Sequence, residues 1–335
     1  MQMRWALIGA STIARQYMVP AIRARHGEIV SVLSASAERA RTFADENRIP
    51  LSGTNLDELL ADPKVDAVYI STTNQKHLPQ ALASVRAGKH VLCEKPLALM
   101  LEDATAMVRA ADEAGLVFAT NHHLRCSGSH RAVRALITSG RIGRVLSLRL
   151  HHAVFLPPHL QGWRINAPDA GGGVIPDITV HDADVARFLL GEDPVSVVAQ
   201  MTSSGLGKGV EDSAMSIWSM PSGAMVMSHE SFTHPFAGSG LEVHGTDGSI
   251  FARDVMTQNP IGSIELVTAS GREVIGFDHH DLYAEGVRRF QAAVAGDGEP
   301  AATGADGVKA LAVALAVREA AARGVRVDVN YGGLR

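Results

Sequence analysis

The chain has 335 residues, 46% of them hydrophobic and 20% charged, ordinary values for a globular protein of about two domains. A net charge of −4 carries no electrostatic footprint for nucleic acid, the 2 cysteines, Cys93 and Cys126, exclude a disulfide scaffold, and no apolar run approaches the ~20 residues that span a bilayer. The amino terminus enters a strand at once, without the segments of a signal peptide, so a reducing, cytoplasmic setting is expected.

The first 120 or so residues alternate. Strands are expected at Trp5–Ile8, Ile29–Ser34, Ala67–Ser71, His90–Cys93 and Leu116–Thr120, and helices at Thr12–Arg25, Ala37–Glu46, Leu56–Leu60, His77–Ala87 and Leu101–Ala114. Gly88 and Gly115 stand where helices should cap. The strands are short and apolar throughout, as strands buried on both faces are, so the alternation predicts a parallel, doubly wound sheet. After Asn121 the pattern changes. A helix near His130–Ser139, a strand-like run Val145–Phe155, a loop rich in Pro, Gly and Trp from Leu156 to Gly173, and a helix near Asp177–Leu190 follow. From Val195 to Ile275 strand-length segments alternate with turn signals such as Pro221-Ser222-Gly223 and Thr246-Asp247-Gly248, which reads as a largely antiparallel sheet. Two helices, Leu282–Ala295 and Asp306–Arg323, close the chain. The expected fold is α/β: a dinucleotide-binding domain over residues 1–121, then an open-sheet α/β domain over 122–335, whose last helices can pack back on the first domain.

Gly9-Ala10-Ser11-Thr12-Ile13-Ala14 follows the first strand directly. It is a modified G-x-G-x-x-G/A fingerprint, the turn that seats a dinucleotide pyrophosphate at a helix start. Gly9 supplies the tight turn, Ser11 replaces the second glycine with a hydroxyl able to donate to phosphate, and Ala14 takes the third position. An ordinary strand–helix turn is the plain alternative. At the end of the second strand an NAD site usually places Asp or Glu on the ribose 2′-hydroxyl. Here Ser34-Ala35-Ser36-Ala37-Glu38-Arg39 offers no carboxylate at that point. Ser34 and Arg39 suit a 2′-phosphate instead, so NADPH is expected, unless Arg39 is a solvated helix residue paired with a neighbouring acid. Thr72, Thr73, Asn74 and His77 follow the third expected strand and either line a ribose or form a helix entry.

Glu94-Lys95-Pro96 comes after His90–Cys93, at the strand end where open α/β sheets place their ligands. An ammonium there can polarise a carbonyl, although a lysine in a loop is ordinarily a surface group. Asp177 and His181 share a helix face at a spacing of four, and a histidine titrating near neutrality can deliver a proton; an ordinary helix pair is the alternative. His151 and His152 point to opposite faces of a strand. A zinc site from His151, His159, His181 and Asp177 has no compact ligand spacing, and no metal is expected.

Gly9–Ala14, Glu94-Lys95-Pro96, Gly171-Gly172-Gly173 and Asp177-x-x-x-His181 occur in that order and resemble the glucose–fructose oxidoreductase and myo-inositol dehydrogenase family along essentially the whole chain. The resemblance implies a Rossmann domain followed by an open-sheet α/β domain. It also implies a small keto-sugar substrate, His181 as acid/base, Lys95 assisting and Asp177 positioning substrate, with the final proton donor left open between Lys95 and His181. Glu94, Asn121 and the loop carrying Trp163 and Arg164 are implied to approach the cofactor. Tyr283 is a weaker candidate of the same kind, whose alternative is a packed aromatic at a helix start. The expected activity is NADPH-dependent reduction of a sugar ketone. A cyclitol or sugar dehydrogenase using NAD(H), and a cofactor-binding regulator without turnover, are the rivals. Neither nucleic acid nor membrane is an expected partner, and monomer and homo-oligomer stay open.

Overall fold

The computed structural model describes residues 2–333; Met1, Leu334 and Arg335, at the ends of the expected domains, lie outside them. Two compact units are present. The first runs to His123 and takes in Tyr283–Val308; the second comprises Leu124–Leu282 and the chain from Lys309.

In the first unit β1 (Arg4–Ile8), β2 (Glu28–Leu33), β3 (Leu51–Gly53), β4 (Ala67–Ile70), β5 (His90–Cys93) and β6 (Phe118–Thr120) form one sheet in the order β3-β2-β1-β4-β5-β6. Every pairing is parallel. Trp5 to Ile8 and Ala67 to Ile70 are buried without interruption, because helices cover both faces. These helices are α1 (residues 12–24), α2 (Ala37–Asn47), α3 (Leu56–Ala61), α4 (His77–Arg86) and α5 (Leu101–Glu113). Gly88 and Gly115 follow α4 and α5 with φ of 71° and 66°, the left-handed stop that glycine takes without strain. α1 contains a π turn, Ala14–Met18. Pro20 has no N–H to return to Gln16 and its ring crowds that carbonyl, and the wider turn relieves both. The later segment joins this core through Phe290, whose ring centroid lies 5.1 Å from that of Trp5. Strand β3 escapes the sequence reading because it is three exposed edge residues with no apolar pattern.

From β1 the chain steps outward to β2 and β3, then returns to place β4 on the other side of β1. The order of the sheet therefore reverses between β1 and β4, the switch point at which open α/β sheets seat their ligands.

The second unit is built on nine strands: β7 (Val145–Ala153), β8 (Ser196–Thr202), β9 (Ser213–Ser219), β10 (Met225–Ser231), β11 (Gly240–Gly245), β12 (Gly248–Arg253), β13 (Ser263–Thr268), β14 (Gly271–Ile275) and β15 (Val327–Asp328). Their order is β14-β13-β12-β11-β7-β10-β9-β8-β15. Only β7 and β10 pair in parallel; the other neighbours are antiparallel. Burial alternates along β9 and β10, the signature of a sheet with one face covered. The covered face receives α6 (Gly128–Thr138) and α8 (residues 174–190), and the other face exposes Met215, Ile217, Met225 and Met227. The segment expected as a plain loop from Leu156 to Gly173 contains three short helical turns, α7 (Pro158–Gln161), Gly162–Ile165 and Pro168–Ala170.

Candidate functional site

Gly9 ends β1 with φ 119°, a conformation that side chains resist. A Cβ there would stand 3.0 Å from the Ser71 backbone, so the bare glycine is what lets the β1 and β4 loops meet. Ser11 caps α1: its Oγ accepts from the Ala14 N–H at 3.1 Å and donates to Ser71 Oγ at 2.8 Å. The hydroxyl expected to reach phosphate is thus engaged within the loop. The first-turn N–H groups of α1 around Thr12 and Ile13 have no intrahelical acceptors, and with the helix dipole they form an anion seat. A glycine cradle, a capped helix start and the switch point of the sheet together fit a dinucleotide pyrophosphate.

Ser36 caps α2, accepting from the Arg39 N–H at 3.3 Å. The Arg39 guanidinium turns back and donates to the Ala10 carbonyl from Nη2 at 2.8 Å and Nε at 3.2 Å. It is held over the fingerprint loop by the Ala10 carbonyl and not against an acid; Ser34 is buried and Ala35 exposed.

His77 is fully buried. Its Nδ1 lies 3.0 Å from the Pro96 carbonyl and its Nε2 3.2 Å from the Thr72 carbonyl, and burial lowers its pKa. The ring ties the loop after β4 to the loop after β5. Thr72 Oγ1 donates to Gln80 at 2.7 Å, Thr73 precedes a helical turn beginning at Asn74, and Asn74 is buried.

Glu94 Oε1 accepts from the Tyr69 hydroxyl at 2.5 Å and from Asn121 Nδ2 at 2.6 Å. Burial raises the Glu94 carboxyl above its ordinary value, although both donors favour the charged form. Tyr69 and Asn121 stand at the ends of β4 and β6, so three neighbouring strands fix the segment carrying half-buried Lys95. The Lys95–Pro96 peptide is cis. Tyr283 is buried and stacks between Tyr17, at 4.9 Å, and His123, at 5.0 Å.

In the second unit Gly171, Gly172 and Gly173 lead into α8. A Cβ on Gly172 would come within 2.7 Å of the Trp163 carbonyl, and the Gly173 N–H donates to the Arg164 carbonyl at 2.8 Å. The glycines thus seat the Trp163–Arg164 turn on the start of α8. Asp177 lies in a π turn, Ile175–Thr179, a distortion common at functional sites. Arg164 Nε donates to Asp177 Oδ2 at 3.2 Å, and its guanidinium carbon lies 4.8 Å from the Trp163 ring centroid. His181 follows on α8, buried, its ring centroid 6.4 Å from that of His152. Asp177, His181, Trp163 and Arg164 are gathered within one unit, and Lys95, Glu94, Asn121 and the fingerprint loop within the other.

Several partners escape the sequence reading. Tyr69 is an apolar-strand residue by pattern, and its hydroxyl is the tether of Glu94. Glu211 accepts from the Ile175 N–H at 3.2 Å. Asp182, Ser228 and Glu230 form a buried polar group with His152. The signal for the last two lies in β10, where Val226, Ser228 and Glu230 share the buried parity of an alternating strand. Among the described residues no three His, Cys, Asp or Glu side chains are arranged to hold a metal ion, and no helix is long and apolar enough to cross a membrane.

A parallel sheet with a fingerprint loop at its switch point, followed by a large mixed sheet, defines a class of dinucleotide-dependent oxidoreductases. Residues 3–122 match the oxidoreductase family with an NAD-binding Rossmann fold, and residues 130–251 the GFO/IDH/MocA C-terminal domain. The chain belongs to the GFO/IDH/MocA family. It is 55% identical to 1,5-anhydro-D-fructose reductase of Ensifer adhaerens, across 98% of this chain and 99% of that protein. Inositol 2-dehydrogenase of Rhizobium meliloti (strain 1021) is 30% identical, over 96% and 98% of the two chains. Among solved structures, aldose–aldose oxidoreductase from Caulobacter crescentus, complexed with glycerol, superposes with a TM-score of 0.90 at 25% identity, covering 98% of this chain and 100% of that one.

Proposed function

We propose that the protein reduces a sugar ketone with NADPH, and that the ketone is 1,5-anhydro-D-fructose, giving 1,5-anhydro-D-mannitol. The observation that carries the substrate is the 55% identity, end to end, to a reductase named for that ketone. The cofactor choice rests on the end of β2. Ser34 and Ala35 stand where a ribose-binding carboxylate belongs, and the Arg39 fork held over Ala10 supplies charge-assisted donors for a 2′-phosphate.

Bound NADPH supplies the hydride that attacks the carbonyl carbon. The protein handles the oxygen. The Lys95 ammonium, presented from a strand end fixed through Glu94, stabilises the developing alkoxide. His181 donates the proton, and Asp177, oriented by Arg164, holds a substrate hydroxyl. The nicotinamide and ribose contacts fall to Thr72, Thr73, Asn74, Asn121, Trp163 and Arg164, with His77, Glu94 and Tyr283 bracing them. The two units are read as the cofactor domain and the substrate domain, in a cytoplasmic enzyme.

The test is NADPH oxidation by the purified protein with 1,5-anhydro-D-fructose and a panel of other ketoses, beside NAD⁺ reduction with cyclitols. The reading expects turnover of the anhydro-ketose with NADPH and a higher kcat/KM than with NADH. Faster oxidation of a cyclitol with NAD⁺ would make the protein a dehydrogenase, and tight NADPH binding without turnover a regulator.

A further inference from the structure

The first turn of α8 carries Asp177, yet the donors of that turn are served from elsewhere. A helix leaves its first four N–H groups without intrahelical acceptors, and an acid in the first turn is drawn to them and to the positive end of the dipole. α8 begins at residue 174. The Gly173 N–H donates to the Arg164 carbonyl at 2.8 Å, and the Val174 N–H to the Glu211 carbonyl at 3.0 Å. The Ile175 N–H donates to Glu211 Oε1 at 3.2 Å, and Pro176 has no N–H to satisfy. The helix start is thus accounted for without the Asp177 carboxylate, whose Oδ2 accepts from Arg164 Nε at 3.2 Å.

Glu211 serves two of these donors, one through its backbone and one through its side chain. The cap of α8 therefore comes from the loop between β8 and β9. That loop is itself held. Asp212 Oδ2 accepts from the N–H groups of Gly205, Leu206 and Gly207 at 2.8, 2.7 and 2.9 Å. The Lys208 N–H donates to the Ile165 carbonyl at 2.7 Å. One loop grips both the start of α8 and the turn that carries Trp163 and Arg164. Gly173 permits the approach: its φ is 115°, and a Cβ there would collide with the Glu211 carboxylate.

The cationic neighbour of Glu211 is a weaker tie. Arg318 Nη2 stands 3.7 Å from Glu211 Oε1, and the Arg318 side chain is 40% exposed, a separation and exposure at which an ion pair contributes little. What Glu211 brings to α8 is an acceptor of the right reach more than a charge.

We propose that Glu211 is a positioning residue for the sugar: by capping α8 from outside, it keeps the Asp177 carboxylate turned to Arg164 and to the substrate hydroxyl. Without that cap the Ile175 N–H loses its acceptor, and Asp177 is the acid nearest in sequence to replace it. The inference rests on the reading of Asp177 as the group that holds a substrate hydroxyl. Glu211 then sets affinity for the ketone through Asp177, and leaves the cofactor alone.

The experiment is steady-state reduction of 1,5-anhydro-D-fructose by the wild type, Glu211→Ala, Glu211→Asp, Glu211→Gln, Asp177→Ala and the double variant of Glu211→Ala with Asp177→Ala. Glu211→Ala should raise KM for the ketone about tenfold, the scale of a misplaced hydrogen bond to a charged group, with KM for NADPH near the wild type. Glu211→Asp, one methylene shorter, should lose as much although it keeps the acid. Glu211→Gln, whose amide oxygen has the same reach, should recover most of the loss. The double variant should show the sugar KM of Asp177→Ala alone, because residues that act through one another are not additive. Additive losses, an unchanged sugar KM in Glu211→Ala, or the reverse order, with Glu211→Asp intact and Glu211→Gln impaired, would overturn the proposal. If Glu211→Ala does not fold, the order of Glu211→Asp and Glu211→Gln decides. An unchanged sugar KM in Asp177→Ala would instead remove the substrate role of Asp177 itself, and this proposal with it.

Discussion

Arg39 is the residue on which the proposed preference for NADPH turns. Its fork is pinned by the Ala10 carbonyl, so its charge is held at the fingerprint loop at little further cost in side-chain entropy. Arg39→Ala should raise KM for NADPH by about tenfold or more, as expected when a charge-assisted bond worth ~1.5–3 kcal/mol is lost, and change KM for NADH far less. Steady-state titration with both cofactors reads this; equal losses would return the site to no preference. Lys95 and His181 differ from Arg39 in what they are asked to do. Lys95→Ala and His181→Ala should each lower kcat by roughly 10²–10⁴, while NADPH affinity by fluorescence titration stays near the wild type. Near-normal kcat in both would remove the assigned chemistry.

At the scale of elements, the β1–α1 junction depends on one bare backbone position. Gly9→Ala puts a Cβ against the Ser71 backbone at a φ of 119°, so the loop should spread, with a loss of roughly 1–3 kcal/mol in stability and weakened dinucleotide binding. Calorimetry and titration on the same variant check both. A second element turns on a buried acid. Asp212 gathers the loop after β8, accepting from the N–H groups of Ser204, Gly205, Leu206 and Gly207 at 2.7–2.9 Å. Burial alone would raise its pKa, but these donors prevail and lower it to about 2. A depressed carboxyl stabilises the fold above its unfolded pKa near 3.8, and that contribution is lost as pH falls toward 2. It amounts to about 2 kcal/mol. Asp212→Asn should therefore lower Tm at pH 7, and the deficit should shrink in denaturant titrations between pH 4 and about 2. A deficit that does not change with pH would contradict the charge argument.

Across the whole molecule, what could be read from sequence follows from periodicity. The parallel strands are continuous apolar runs because both faces are covered, and the second sheet alternates because one face is open. Those patterns place Gly9, Lys95, Asp177 and His181 on their elements without coordinates. Contacts between distant elements leave no such trace. Nothing local links Tyr69 to Glu94, and Asp182 meets Ser228 across 46 residues through strand parity alone. Ser11 was legible as a fingerprint residue, but its bond to Ser71 needed the β1–β4 crossover. Reduction of a sugar ketone with NADPH is the claim to which these scales converge. Its most direct test is transfer of deuterium from C4-deuterated NADPH to 1,5-anhydro-D-fructose in ordinary water, read by mass spectrometry and NMR of the sugar. Deuterium is expected on the reduced carbon of 1,5-anhydro-D-mannitol, formed far more slowly by His181→Ala. Oxidation of the cofactor with no deuterium in the sugar, or no oxidation at all, would contradict it.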